Sequence, residues 1–356
     1  MKRYISIDIG GTAIKYGIIG EDAKIMLKKS MPTEAGKGGP AILDKVIGIV
    51  NEMLVSHSEI AGICISTAGM VDTETGSIFY SAPLIPNYAG TQFKKILEEK
   101  FQIPCEVEND VNCAGLAEYK NGAAKGSKVA LVLTIGTGIG GCILLEGKVF
   151  HGFSNSACEV GYMHMDDSDF QTLGAASILT KKVAERKNEI EDKWDGYHIF
   201  EEAKKGDQIC IQAIEEMTDT LGKGIANICY VLNPEIVVLG GGTGMSTLLR
   251  GLKQFPVDIT AIVSVCDDGK STGRLRQEFN TIAVGDMRRV LVALSEVEPL
   301  VEKLFNYRFH TTSDLDGHTV GNLLLTAMSN INGNLSEGIE ALAKILNLKG
   351  RVLPLT

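Results

Sequence analysis

No run of apolar residues in this 356-residue chain approaches membrane-spanning length, and lysine and arginine form no cluster. With a formal net charge of −9 the chain lacks the electrostatic footprint of a polyanion binder, so neither nucleic acid nor a membrane is an expected partner. The eight cysteines include no CxxC pair. Scattered, and several of them inside apolar runs, they read as buried, reduced thiols of a cytoplasmic protein. The N-terminus also lacks the unbroken apolar stretch of a secretory leader: after Lys2 and Arg3 the apolar residues alternate with Ser6 and Asp8 and run into Gly10 and Gly11. What remains is 44 % hydrophobic residues over a length sufficient for two domains.

The first of the informative stretches is Tyr4-Ile-Ser-Ile-Asp-Ile-Gly-Gly-Thr-Ala-Ile-Lys, a β-branched strand, a glycine turn and a returning strand. Val129 to Lys148 repeats the plan. Laying Asp8-Ile9-Gly10-Gly11-Thr12 on Thr134-Ile135-Gly136-Thr137-Gly138 suggests an internal duplication with one glycine hairpin in each half. Between and after the hairpins, helical spacing over 42–54, 93–101, 175–184 and 209–232 alternates with short strands over 60–66, 106–108 and 236–239. Strand and helix in turn imply an α/β layer structure.

Glycines at a hairpin tip let backbone N–H groups approach an anion, because no Cβ intervenes, and Thr12 and Thr137 add hydroxyl donors. Two facing tips would clasp a polyphosphate. Asp8 could hold Mg²⁺ through water, and Lys15 could neutralise phosphate. The competing reading is that each tip is only a tight hairpin. In Glu108-Asn109-Asp110-Val111-Asn112 a carboxylate could accept a hydroxyl proton and an amide could orient the same molecule, but Asp110 could equally be a helix N-cap. Glu159, beside Gly161, could accept sugar hydroxyls or simply belong to a loop.

Together with Ser66-Thr-Ala-Gly69-Met-Val-Asp72 and Asn233-Pro-Glu-Ile-Val-Val-Leu-Gly-Gly-Gly242, these motifs in this order resemble the ROK family of sugar kinases. The branch with β-glucoside kinases and N-acetylmannosamine kinases is the most similar. The resemblance implies an actin-like ATPase fold (ribonuclease H-like) of two lobes, 1–110 and 111–242, with ATP and Mg²⁺ as cofactors and a homodimer as the expected assembly. It implies Asp110 as the base on the sugar hydroxyl, and Gly69, Asn109 and Glu159 as sugar contacts. Gly10, Gly11, Thr12, Lys15, Thr134, Gly136, Thr137 and Gly138 would hold phosphates, with Gly240, Gly241 and Gly242 in the adenosine site. Most of the family carries a zinc-binding His and a Cys-rich run after the Glu motif. Tyr162 stands at the His position here and residues 166–174 contain no cysteine, so zinc is not expected. Glucose, a β-glucoside and N-acetylmannosamine all stay open as substrates. The repressors of the family carry a DNA-binding domain ahead of these motifs, whereas this sequence begins at the first strand, which favours a kinase.

From Ile236 onward a second resemblance begins. Strand 236–239, the glycines through Thr243 and Gly244, a helix and a strand over 259–265 form a β-Gly-rich-α-β unit, and Asp267 and Asp268 follow at the strand's carboxyl end. With Gly285-Asp-Met-Arg288 and Gly317-His-Thr-Val-Gly-Asn322 this stretch is similar to the gluconeogenesis factors, relatives of the 2-phospho-lactate transferases. It implies a partial Rossmann-like segment over 236–356, ending in mid-domain, whose loops at Thr243, Gly244, Asp267 and Asp268 would take a UDP-sugar. Three functions follow: an ATP-dependent sugar kinase, a non-enzymatic nucleotide-sugar-binding regulator, or a join of two incomplete genes at the shared strand with neither activity intact. The added segment either covers the second lobe with a strand and helix or leaves an apolar surface open.

Overall fold

The computed structural model describes residues 2–57, 59–81, 85–241, 259–264, 285–296, 298–311, 313 and 315–355. By packing, the chain divides into two units: Met1–Ala114 with His151–Ala157, and Gly115–Phe150 with Cys158–Thr356.

In the first unit the strands are β1 (Arg3–Ile9), β2 (Ala13–Gly20), β3 (Ile25–Pro32), β4 (Ile60–Thr67), the small hairpin β5 (Met70–Asp72) and β6 (Ser77–Tyr80), and β7 (Cys105–Asn109). The main sheet has the order β3-β2-β1-β4-β7, with β2 antiparallel to both neighbours and β4 and β7 parallel to β1. Alternation decides its two faces: Ile5, Ile7 and Ile9 are buried, so Ser6 and Asp8 project from the opposite side. The helix α1 (Gly38–Ser56) covers the apolar face with Ile42, Val46, Ile49, Val50 and Met53, a stripe at helical spacing. The helix α2 (Phe93–Phe101) follows, and α3 (Asp110–Asn121) begins in this unit and passes into the second at Gly115. The edge strand β3 has no counterpart in the sequence reading because IMLKKSMP does not alternate; most of its residues are exposed.

The second unit contains β8 (Val129–Ile135), β9 (Ile139–Leu145), β10 (Lys148–Val149), the ribbon β11 (His164–Met165) and β12 (Ser168–Asp169), then β13 (Ile236–Gly241), β14 (Ile259–Ser264) and β15 (Arg351–Leu355). Its helices are α4 (Phe170–Gly174), α5 (Ala176–Lys187), α6 (Gly196–Lys204), α7 (Gln208–Leu232), α8 (Gly285–Leu294), α9 (Glu298–Asn306), α10 (Val320–Asn332) and α11 (Leu335–Ile345). The six-stranded sheet runs β10-β9-β8-β13-β14-β15. Its first five strands repeat the plan of the first unit, two antiparallel pairings followed by two parallel ones. That repetition agrees with the duplication suggested by the two glycine hairpins. Helix α7 is capped by Asp207, whose side chain accepts from the Cys210 N–H, and ends at Asn233 in the left-handed conformation, one residue ahead of Pro234.

The fifth strand, β14, comes from the segment that resembles the gluconeogenesis factors. Strand β13 pairs through Ile236–Gly241 with β8 on one edge and through Val237, Val238 and Leu239 with β14 on the other. Its residues are apolar without alternation, as a strand covered on both faces requires, and Val237, Val238 and Leu239 are all buried. Leu131, Leu221 and Leu239 share one apolar cluster with Leu291, Leu325, Leu342 and Val352. Among the described residues the added segment therefore packs against this sheet. The helix expected after Gly244 lies outside the described residues.

If the second unit is one cooperative core, Leu131→Ala and Leu325→Ala should lower the same urea transition, each by about 2–5 kcal/mol. Two separable transitions, one for each variant, would contradict a shared core.

Candidate functional site

Four strands of the first sheet set side chains in a row. Lys15 pairs with Asp8 across β2 and β1, Asp8 with Ser66 across β1 and β4, and Ser66 with Glu108 across β4 and β7. On this polar face the Ser66 hydroxyl donates to Asp8 Oδ1 at 3.1 Å, and Lys15 Nζ stands 3.5 Å from Asp8 Oδ2. The Asp8 side chain is 43 % exposed and that of Lys15 61 %. Such a long, solvated pair contributes little to stability, so either group can take a new partner cheaply.

At the far end of the row β7 passes directly into α3, and the turn between them is fixed by Glu108 and Asn109. Asn109 Oδ1 accepts from the N–H groups of Val111 at 2.9 Å and Asn112 at 3.2 Å, and its Nδ2 donates to the Gly69 carbonyl at 3.0 Å. Asn109 is thus the cap of α3. Asp110, which also accepts from the Val111 N–H, stands inside the first helical turn with its carboxyl open to solvent. Protein nevertheless crowds it from most directions. The resulting desolvation pushes its carboxyl above the ordinary range; the charge of Asp8 adds to this and the Val111 N–H opposes it. Gly69 needs to be glycine: its φ is +97°, and a Cβ would meet the Tyr80 carbonyl at 2.8 Å.

Glu108 holds this turn from behind. Its Oε1 accepts from the Asn109 N–H at 2.7 Å and Asn112 Nδ2 at 3.0 Å, while Oε2 lies 2.7 Å from His151 Nε2. His151 belongs to none of the sequence motifs. Its only signal in the sequence is position, directly after the end of the second hairpin's outer strand, in the short stretch 151–157 that packs with the first unit. Burial, followed by the charge of Glu108, pushes the Cys113 thiol up to about 12, so it stays protonated at neutral pH beside Asp110.

Gly11 and Gly136, one in each hairpin tip, have nothing within 4 Å of where a Cβ would stand. Neither has a positive φ. Neither protein packing nor backbone conformation therefore demands glycine at these two positions, and each leaves open space beside a backbone that a ligand can approach. Gly138 differs, because a Cβ there would meet Gln171 Oε1 at 2.8 Å.

Within the second unit the other candidate residues gather near this tip. Gly240 and Gly241 pair with Thr134 and Ile135, at the end of β8. Glu159 precedes a single 3₁₀ turn whose Gly161 approaches the Ile139 carbonyl so closely that a Cβ would lie 2.4 Å from it. Tyr162 is half-exposed. Among the described residues no group of three or more His, Cys, Asp or Glu side chains could hold a metal ion, and no helix is long and apolar enough to cross a membrane. Gly242, Thr243, Gly244, Asp267 and Asp268 lie outside the described residues.

The ROK family model matches residues 4–254, and the model of the 2-phospho-L-lactate transferase CofD matches residues 236–356, so both include β13. An uncharacterized protein of Clostridium perfringens (strain 13 / Type A) is 50 % identical over 242 residues, which cover 68 % of this chain and 82 % of that protein. A glucokinase of Halalkalibacterium halodurans is 29 % identical over 279 residues, covering 70 % of this chain and 84 % of the relative. The gluconeogenesis factor of the same organism is 60 % identical over 119 residues. That match covers 33 % of this chain and spans only 37 % of the relative. Among solved structures, a ROK family protein from Streptococcus pneumoniae TIGR4 in complex with sucrose superposes with a TM-score of 0.64 at 30 % identity, covering 73 % of this chain and 92 % of that one.

Replacing the cap should be felt locally. Asn109→Ala is expected to cost about 1 kcal/mol in chemical denaturation; an unchanged midpoint would show that Asn109 does not cap α3.

Proposed function

Because the chain belongs, over residues 4–254, to the ROK family, we propose that it is an ATP-dependent kinase of a sugar hydroxyl with Asp110 as the general base. The observation that carries this reading is the division of labour at the start of α3. Asn109 supplies the cap, which leaves the Asp110 carboxylate available, and desolvation raises its proton affinity as a base requires. Asp110 would take the proton of the attacking hydroxyl as that oxygen bonds to the γ-phosphorus and the bond from that phosphorus to the departing ADP oxygen breaks. Gly69, Asn109 and Glu159 are the proposed sugar contacts, and the proposed substrate is a hexose, a β-glucoside or an N-acetylhexosamine.

The residues present fit ATP and Mg²⁺. The open sides of Gly11 and Gly136 admit phosphate oxygens, and the exposed, loosely paired Asp8 suits a hard cation held through water. Bound there, ATP supplies the phosphoryl group and Mg²⁺ neutralises its charge. In this reading Gly10, Gly11, Thr12, Lys15, Thr134, Gly136, Thr137 and Gly138 bind phosphate, and Gly240, Gly241 and Gly242 serve the adenosine. Tyr162 takes no zinc. Phosphoryl transfer needs positioning and charge more than covalent chemistry, so this set is sufficient.

The proposed lobes, 1–110 and 111–242, carry the kinase, and 236–356 completes the second sheet. No disulfide links the seven cysteines among the described residues; a cytoplasmic location and a homodimer are the proposed setting. A second reading, a regulator that binds a UDP-sugar through its C-terminal segment, draws its support from the 60 % identity to a gluconeogenesis factor.

A coupled ADP-release assay over a sugar panel tests the kinase. Asp110→Asn should lower kcat by about 10²–10⁴-fold. Because the carboxyl's pKa is raised, the base is lost as pH falls through a value above the ordinary carboxylate range, so the acid limb of kcat/KM should lie above about 3.9. Retained turnover in Asp110→Asn would remove it from this role.

A further inference from the structure

Both glycine tips are held from one side. In the first, Thr33, which follows β3 and is 1 % exposed, uses two donors: its hydroxyl donates to the Gly10 carbonyl at 2.5 Å and its backbone N–H to the Thr12 carbonyl at 2.9 Å. In the second, Ser177, in the first turn of α5, does the same. Its hydroxyl donates to the Thr137 carbonyl at 2.6 Å and its N–H to the Gly136 carbonyl at 3.4 Å, with the Ala176 N–H adding a bond to Gly136 at 3.0 Å.

In a planar trans peptide the carbonyl and the following N–H point in opposite directions. Pinning the Gly10 carbonyl inward therefore turns the Gly11 N–H outward. Pinning Gly136 and Thr137 likewise turns out the N–H groups of Thr137 and Gly138. The open flank of Gly11 belongs to one of these residues, whereas in the second tip the open flank is that of Gly136, one residue ahead of Thr137. A tip without such anchors would be free to rotate its peptides and present carbonyls, whose partial negative charge repels phosphate. The first two N–H groups of α5, those of Ala176 and Ser177, are spent on the Gly136 carbonyl and the next two on Ala175, so this helix start serves the tip and not an anion.

Resting on the kinase reading above, we propose that Thr33 and Ser177 are matched positioning residues, one in each unit, that fix the peptide orientation of the two tips so that their N–H groups face the phosphates of ATP. Neither residue need touch the nucleotide. The two hydroxyl residues lie on unrelated local structures, a strand end and a helix start, so they match in role and not through the duplication of the hairpins.

The test is calorimetric binding of adenylyl imidodiphosphate with Mg²⁺ to the full chain. Thr33→Val and Ser177→Ala should each weaken binding about tenfold, the effect of losing one oriented hydrogen-bonding hydroxyl. Thr33→Ser and Ser177→Thr, which keep the hydroxyl, should restore it to within about twofold. Ser177 is only partly buried, so Ser177→Ala tests the latch even if Thr33→Val fails to fold. A parallel kinetic readout should show a raised KM for ATP with the KM for sugar unchanged. Wild-type affinity in both hydroxyl-free variants, or no recovery in the conservative ones, would overturn the latch while leaving the kinase standing. Failure of the wild-type chain to bind the analogue would instead overturn the kinase reading, and the latch with it.

Discussion

A β-strand has two hydrogen-bonding edges, and the second unit depends on how β13 uses both. One edge joins β8, which carries the second glycine tip, and the other joins β14, which comes from the segment related to a different family. The overlap of the two family matches over 236–254 is therefore a physical junction as well as a sequence one. Buried on both faces, Val237, Val238 and Leu239 could not remain at a sheet edge without exposing unpaired N–H and C=O groups. The parallel strand β14 meets that demand, and β15 extends the sheet beyond it. The order and direction of the first five strands match the plan of the first unit, although the fifth strand lies in the segment matched by the other family model.

That frame is what gives the tips their value. Each tip closes an antiparallel pair at the centre of its sheet, and each has a neighbouring parallel strand on the other side, β4 or β13. The registers bring Ser66 beside Asp8 in one unit and Gly240 beside Thr134 in the other. Short-range groups then refine the arrangement. Asn109 caps α3, Glu108 braces the turn against Asn112 and His151, and the hydroxyls behind the tips hold their carbonyls. None of these bonds is strong alone, but each fixes a peptide or side chain that would otherwise sample several orientations.

Much of the fold is legible from the residues. Ile5, Ile7 and Ile9 alternate with Ser6 and Asp8 and announce β1; the wide apolar face of 209–232 announces α7, with Asn233 and Pro234 to stop it. The edge strand β3 is not legible, because a half-solvated edge needs no apolar alternation. At the candidate site the motif around Asp110 is visible as a cluster of polar residues, but the choice between cap and base is not, since Asn109 and Asp110 are both good caps and only the hydrogen bonds assign the cap to Asn109. His151, Thr33 and Ser177 are hidden for a common reason. Each acts through a contact 23 to 43 residues away in sequence, and no local pattern records such a contact.

The most direct test of this account is amide hydrogen exchange across Ile259–Ser264 in the full chain. If β14 completes the second sheet between β13 and β15, its amides should be protected to about the same degree as those of Val129–Ile135 in β8. Exchange of the β14 amides at the rate of an unpaired segment, with β8 still protected, would contradict it.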